Sequence, residues 1–510
     1  MTLSVSSEAR ATKTVLGLDA AIIALAVLAL RVMVLGNPHV HVDEEFYLLV
    51  GGRMLDGALP YIDIWDRKPV GLLLIYEFAA MFGDGVIAYQ LLAMLFVFAT
   101  SMIIYSVSRR YADRPTAVLA AITYVLLLNL LEGMGGQAPV FYNLLVTAAA
   151  AILMRLFTER SDISVPHLVG WGAAAMLLMG LAIQIKYSAV GEAALFGFFL
   201  LWLLWRRKGA VPAFSCGLIW AAAALAPTLL AYLYYYRLGA GDAFLYANFY
   251  SIAERGGDPT IWVVNRFISI MKVLALPILI GLGGWIAWAR KSALAGAIDA
   301  RRFVLFWNAA AWFSFLGFGT FFPHYALPLA APAALLFAFA SGRWLAFRAL
   351  VVVGGAIVSL ITVHREVGDG GGAPVIESTL AAMGHSRNCP YMYEGSPILY
   401  HLGHYCLPTR YPFPYHLSIV REHNALGIDA DAELRRILSR NPDYIVARLP
   451  FSSEHRKESD MMVLRALKQR YRPVMATRQW RIYSVVLFRL RPEFTPLPND
   501  ARDFPPPPRR

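Results

Sequence analysis

Charge is scarce in this chain: of 510 residues, 16% are Asp, Glu, Lys or Arg, against 58% hydrophobic. That scarcity, with a mean hydropathy of +0.52, excludes the string of two to four soluble domains that length alone would suggest. Cysteine is scarcer still. The chain has three, with no CxxC or His/Cys cluster, so nothing points to zinc. No internal repeat is visible, and the first apolar run has no small-residue cleavage site after it, which argues for an uncleaved anchor rather than a removed signal peptide.

What is abundant is apolar sequence in long runs. A span needs about 20 mostly apolar residues to cross a hydrocarbon core of roughly 30 Å, and in lipid such a run must be a helix. The chain is therefore read as a polytopic α-helical membrane protein. Eleven spans are expected, near 14–35, 86–107, 115–132, 140–157, 167–185, 189–205, 212–235, 268–289, 303–321, 325–341 and 346–363. The formal net charge of +12 does not imply nucleic acid as a partner. Basic residues gather in short gaps between spans, such as Arg109, Arg110 and Arg114, Arg155 and Arg160, Arg206, Arg207 and Lys208, Arg290 and Lys291, and Arg343 and Arg348. That is the positive-inside pattern that sets orientation. Eleven spans starting inside put these gaps in the cytoplasm. They put residues 36–85, the 236–267 loop and everything after 364 outside.

Three parts are expected: a transmembrane part at 1–365 with its first outer loop at 36–85, an extracytoplasmic α/β domain at 366–495, and a disordered Pro-rich tail at 496–510. GDGGGAP (368–374) reads as the hinge, DADAELRRILSRNP (430–442) as a helix with an acidic start and basic end, and DYIVARL (443–449) and WRIYSVVLFRL (480–490) as strands. Cys216 lies in a span as a small buried residue. Cys389 and Cys406 both fall in the outer domain, where a disulfide and two reduced thiols are both open readings until the Cα separation is known.

The first loop holds the polar residues that the rest lacks. HVDEEFYLLVGGRMLDGALPYIDIWDRKPVGLLLIY (41–76) gathers Asp43, Glu44, Glu45, Asp56, Asp63 and Asp66, then Arg67-Lys68-Pro69. If 43–56 is helical, neighbouring residues diverge by about 100°. One carboxylate can then face a cavity while the next makes a structural bond. The bland alternative is an acidic helix start that suits the dipole. An adjacent Arg and Lys at interface depth could hold a lipid phosphate, Lys as a point charge and Arg as a fork, or could anchor the chain at the interface.

The order D-E-x-x-Y followed by G-x-x-M-L-x-G-x-L-P-Y-x-D-x-W-D-x-K-P-x-G resembles the first outer loop of GT-C glycosyltransferases. The nearest branch is the family-39-like or aminoarabinose-transferase-like bacterial group. FFPHYALPL (321–329), GLAIQIKYSA (180–189), SPILYHLG (396–403) and NPDYIV (441–446) also resemble this group. The resemblance implies an inner-membrane transferase, N-terminus cytoplasmic, that takes a sugar from a polyprenyl-phosphate donor on the outer side. The acceptor would be an extracytoplasmic glycolipid, polysaccharide or protein. It implies Asp43 as general base, Glu44 as the second acidic position and Lys68 on the donor phosphate. Arg67, Lys186, His324 and Tyr325 are further phosphate candidates, and Tyr47, Tyr61, Glu254 and Arg255 candidates for substrate contact. Snorkelling, interface anchoring and a Glu254–Arg255 surface pair are the competing readings. Glu192, in or near a span, is costly to bury and so draws notice. His401 and His404, at i and i+3, could bind a metal in principle. No second acidic pair stands out, so no metal or other cofactor is expected.

A base beside the acceptor oxygen and cations beside the departing phosphate suit one inverting displacement. Glu44 or Glu45 would be needed as nucleophile for a retaining route. The competing class is a solute or lipid transporter, which would place polar groups at the midplane of repeated halves. A sensor with an outer ligand-binding domain would account for the tail but leave the first loop unexplained.

Overall fold

The computed structural model describes residues 2–158, 164–289, 295–341, 344–369, 371–386, 388–479 and 483–497. The disordered tail expected at 496–510 lies outside the described residues from 498 onward, as do Arg160, Arg290, Lys291 and Arg343 of the basic gaps.

Among the described residues, nine helices are long and apolar enough to cross a membrane. The expected fold class holds: a polytopic helical membrane protein with a small C-terminal sheet. Nine of the eleven expected spans match these helices, and two do not. The segment expected at 115–132 is the helix Arg114–Leu130, whose 17 residues reach about 25 Å at 1.5 Å per residue. The segment expected at 303–321 lies in Ala295–Phe318, whose early turns carry Asp299, Arg301 and Arg302.

The described chain forms two compact units. The helical unit comprises Met1–Leu35, Leu91–Thr228 and Ile261–His364, and the mixed unit Gly36–Gln90, Leu229–Thr260 and Arg365–Arg510. In the helical unit, the charges that fall in apolar helices find partners, as low-dielectric burial requires. Asp19 accepts from the Tyr105 hydroxyl at 2.5 Å and pairs with Arg114 at 2.8 Å. The buried Arg31 ends the first helix and donates to the Gly133 and Gly135 carbonyls at 2.8 and 2.6 Å.

The mixed unit is built on a four-stranded sheet of order β1-β2-β4-β3. Strand β1 (Tyr391–Met392) runs parallel to β2 (Tyr444–Leu449), and β4 (Tyr483–Leu490) is antiparallel to both β2 and β3 (Tyr471–Gln479). The apolar pattern of 443–449 gives β2, and that of 480–490 gives β4 from Tyr483 onward, residues 480–482 lying outside the described residues. The expected helix is Ala430–Ser439, started by Asp429, whose carboxylate accepts from the Asp431 and Ala432 amides. Leu434 and Ile437 from that helix, Ile445 from β2 and Phe488 from β4 are buried in one core. Tyr61 and Trp65 of the first loop and Tyr235 and Phe244 of the 229–260 stretch enter the same core. The Tyr61 ring lies 5.1 Å from Tyr235 and 5.7 Å from Phe244. Aromatic burial of this kind is why three stretches far apart in sequence form one body.

Cys389 and Cys406 are joined by a disulfide with Cα atoms 4.9 Å apart, and Cys216 is a buried thiol. At the expected hinge, Gly371 and Gly372 take φ of +82° and +53° between the helices Gly355–Asp369 and Gly372–Met383. At Gly371 a Cβ would lie 2.3 Å from Val375 Cγ2, so the turn needs a glycine there.

Candidate active site

Helix Val42–Leu55 is capped by His41, whose Nδ1 accepts the Asp43 amide at 3.1 Å. Its first turn carries Asp43, Glu44 and Glu45 at the positive end of the dipole. The 100° step sends the three carboxylates to different surroundings. Asp43 keeps 18% of its side chain exposed, its Oδ2 4.0 Å from His41 Nδ1. Glu44 is fully buried, within electrostatic reach of Tyr76 and Tyr89. Glu45, also buried, is 2.6 Å from His39 Nδ1 and accepts from the Ser396 hydroxyl. Burial opposes a proton on His39, but Glu45 outweighs it and raises the imidazole pKa above the usual range.

Tyr47 stands four residues after Asp43, on the same helix face. Its hydroxyl accepts from Lys68 Nζ at 2.7 Å, with the ammonium 5.2 Å from the ring centre. Lys68 is also fixed from its backbone: the Tyr61 hydroxyl donates to its carbonyl at 2.8 Å, and Pro69 starts helix Val70–Ala80 immediately after it. Two of the four candidates for substrate contact, Tyr47 and Tyr61, are buried, and both hold Lys68 in place. Between Asp43 and Lys68 in electrostatic terms is Asp66, a residue to which the sequence reading gives no role. It is buried and accepts the Arg67 amide at 2.7 Å. Burial raises its carboxyl pKa, Lys68 and Arg67 pull it back, and Asp43 adds to the rise. Asp66 thus feels both the acid and the cation. The helices carrying these groups meet at Gly51, where a Cβ would lie 2.5 Å from the Tyr76 carbonyl carbon.

Arg67 turns elsewhere. Its guanidinium forks onto Glu422, with Nη1 to Oε1 at 3.0 Å, and Arg255 Nε reaches the same Oε1 at 2.8 Å. Burial opposes charge on Glu422, but the two arginines outweigh it and hold the carboxyl well below the usual range. The neighbouring His416, 4.8 Å from the Trp65 ring centre, is pushed down to about 3, mainly by burial and against the pull of Glu422. Glu254 accepts from the Tyr246 hydroxyl at 2.7 Å. Glu422 escapes the sequence reading because it lies in the C-terminal α/β part, 355 residues from Arg67, with no motif to flag it. His401 Nε2 sits 2.9 Å from the Asp84 carbonyl oxygen.

Lys186, His324 and Tyr325 belong to the helical unit. Lys186 Nζ lies 4.7 Å over the Tyr325 ring, and His324 Nδ1 is 3.7 Å from Glu132. Glu192, buried, accepts from the Trp307 indole at 2.6 Å and lines a small recess with Lys186, Ser188 and Tyr325.

The fold matches solved structures along almost its whole length. ArnT from Cupriavidus metallidurans bound to undecaprenyl phosphate is 16% identical, with a TM-score of 0.59 over 94% of this chain and 99% of that one. Its apo state gives a TM-score of 0.58 over 92% and 98% at the same identity. The Archaeoglobus fulgidus oligosaccharyltransferase AglB, in complex with an inhibitory peptide and a dolichol-phosphate, is 11% identical with a TM-score of 0.52 over 85% of this chain and 69% of that one. Residues 66–231 match the dolichyl-phosphate-mannose-protein mannosyltransferase family. No curated protein sequence matches this chain. The architecture is that of the GT-C membrane glycosyltransferases, and the expected likeness to that group holds at the level of the fold. With the family match, the expected enzyme class holds as well: a glycosyltransferase.

Proposed function

We propose that the protein moves a sugar from a polyprenyl-phosphate donor to an extracytoplasmic glycolipid, polysaccharide or protein in one inverting displacement. Asp43 takes the proton of the acceptor hydroxyl as that oxygen attacks the anomeric carbon. The bond from that carbon to the phosphate oxygen breaks, and Lys68 meets the charge that develops on the departing phosphate. Glu44, buried against tyrosines, positions the helix start, and Arg67 and Arg255 brace the loop through Glu422. Within the helical unit, Lys186, His324 and Tyr325 form a group of their own suited to a phosphate. The chain sits in a bacterial inner membrane with its N-terminus in the cytoplasm and the mixed unit outside.

The observation that carries this reading is the tie of Lys68 to Tyr47, one turn along the helix face from Asp43. The undecaprenyl phosphate of the ArnT structure and the dolichol-phosphate of the AglB complex support a lipid-phosphate donor. Purified protein given a radiolabelled polyprenyl-phosphate sugar is expected to release sugar to an acceptor or to water. Asp43→Asn is expected to cut that turnover about 10²- to 10⁴-fold, the usual share of a general base, with the melting temperature unchanged. Unchanged turnover in the variant removes Asp43 as the base. Movement of the lipid across liposomes without sugar release would identify a transporter instead.

A further inference from the structure

Within the mixed unit, the loop 389–406 is fixed at its base and reaches the helix that carries Asp43. Its start is held to the sheet: the Asn388 amide donates to the Asp443 carboxylate at 2.8 Å, and β1 follows directly. The disulfide brings its end back to that fixed point, closing 17 residues of sequence with Cα atoms 4.9 Å apart. Inside the loop, the Tyr400 hydroxyl accepts the Met392 amide at 3.0 Å, and Leu399 and Tyr400 are buried. The loop is a closed ring seated on a strand.

Three of its residues meet helix Val42–Leu55. Ser396 donates its hydroxyl to Glu45 in the first turn. The His401 ring takes the place of a side chain at Gly52, where a Cβ would lie 2.5 Å from Cε1 and 2.6 Å from Nδ1. That ring is itself held, since its Nε2 donates to the Asp84 carbonyl at 2.9 Å. The Tyr405 carbonyl accepts from Arg53 Nη2 at 2.5 Å, and the Tyr405 hydroxyl donates to the Gly384 carbonyl at 2.7 Å. Residues 45, 52 and 53 stand at i, i+7 and i+8, so they share one stripe of the helix. At 100° per residue, Asp43 and Tyr47 lie about 160° round from Glu45, one on each side. The loop therefore grips the back of the helix, and the front carries Asp43 and the partner of Lys68.

A helix of 14 residues gripped in its first turn and its last cannot roll or slide without breaking one of these contacts. Asp43 sits in that first turn, and a misplacement of about 1 Å at a reacting group costs about 10²-fold in rate. We propose that the loop 389–406 is a positioning clamp closed by its disulfide, and that Ser396, His401 and Tyr405 set the roll and depth at which Asp43 meets the acceptor. The effect on rate rests on the transferase reading above; the grip on the helix does not.

The test pairs hydrogen–deuterium exchange with donor turnover on the full-length protein in detergent. The clamp is opened in two ways: Cys389→Ser with Cys406→Ser, and Ser396→Ala with His401→Ala, which keeps the disulfide. Either pair is expected to raise amide exchange across Val42–Leu55 about tenfold while β2 and β4 keep their protection. Should the cysteine pair also unprotect β2 and β4, the serine–histidine pair decides. Turnover is expected to fall about 10- to 100-fold in the otherwise wild-type protein. The same changes are expected to alter the residual turnover of Asp43→Asn by less than about twofold, because displacing a base costs nothing once the base is gone. Equal losses in the two backgrounds would mean a merely structural role and overturn the proposal. Unchanged exchange across Val42–Leu55, or unchanged turnover once exchange has risen, overturns it too. Exchange that rises in a protein whose wild type shows no donor turnover sinks the transferase reading and leaves the grip standing.

Discussion

His455 shows how single residues of the mixed unit set its response to pH. Its side chain is fully buried between Asp460 at 2.8 Å and Glu394 at 3.2 Å, and the Tyr393 hydroxyl braces Asp460 at 2.7 Å. Burial alone would strip the imidazole of its proton. The two carboxylates reverse that and push its pKa up to about 9, from an ordinary 6.5. A group whose folded pKa is raised stabilises fully below the unfolded value and loses that contribution as pH climbs through the folded one. The melting temperature is therefore expected to fall between pH 6.5 and pH 9, by a contribution of at most about 3 kcal/mol. His455→Gln is expected to be less stable at pH 6 and flatter over that window. Parallel wild-type and variant profiles would contradict the assignment.

At the scale of elements, the spacing of helices Val42–Leu55 and Val70–Ala80 decides where Asp43 and Lys68 stand. Asp43 opens the first helix, and Lys68 precedes the second by two residues. Gly51 lets the backbones touch, with a Cβ there 2.5 Å from the Tyr76 carbonyl carbon. Gly51→Val must push the helices apart. It is expected to cost about 1–3 kcal/mol of stability, as overpacking does, and to lower donor turnover although residue 51 lies outside the reacting groups. Calorimetry and turnover on the same preparation check this, and full activity at unchanged stability would mean that the contact does not set the site. These helices were legible in part. The run of acids suits the start of the first, read as helical over 43–56, whereas the His41 cap and the helix after Pro69 came only with the structure. The register between them was not legible, because a glycine reads as a flexible position until its neighbour is known. The strand Tyr471–Gln479 also went unread: its alternation of exposed and half-buried residues is too polar to stand out beside the apolar β4.

At the scale of the whole chain, the membrane helices were readable because lipid enforces long apolar runs that hydropathy detects directly. Membership of the mixed unit was not. The first loop, the 229–260 stretch and the C-terminal α/β part share one core that Tyr61, Tyr235 and Phe244 enter, and one ion cluster through Arg67, Arg255 and Glu422. Contacts spanning about 170 to 355 residues leave no local pattern in sequence. The motif around Asp43 and Lys68 could be read as a motif. Of the side chains that fix it, Tyr47 was read as a substrate contact rather than as the partner of Lys68, and the parts of Asp66 and Glu422 emerged only with the fold. If Asp43 and Lys68 serve one reaction centre, removing either should forfeit most of what removing both forfeits, as for residues that act as a unit. The decisive measurement is a double-mutant cycle on kcat/KM for donor turnover with Asp43→Asn, Lys68→Ala and the pair. The account predicts that the double variant is close to the worse single one, a coupling of about 1.5 kcal/mol or more. Losses that simply add would mean that the two residues serve separate surfaces.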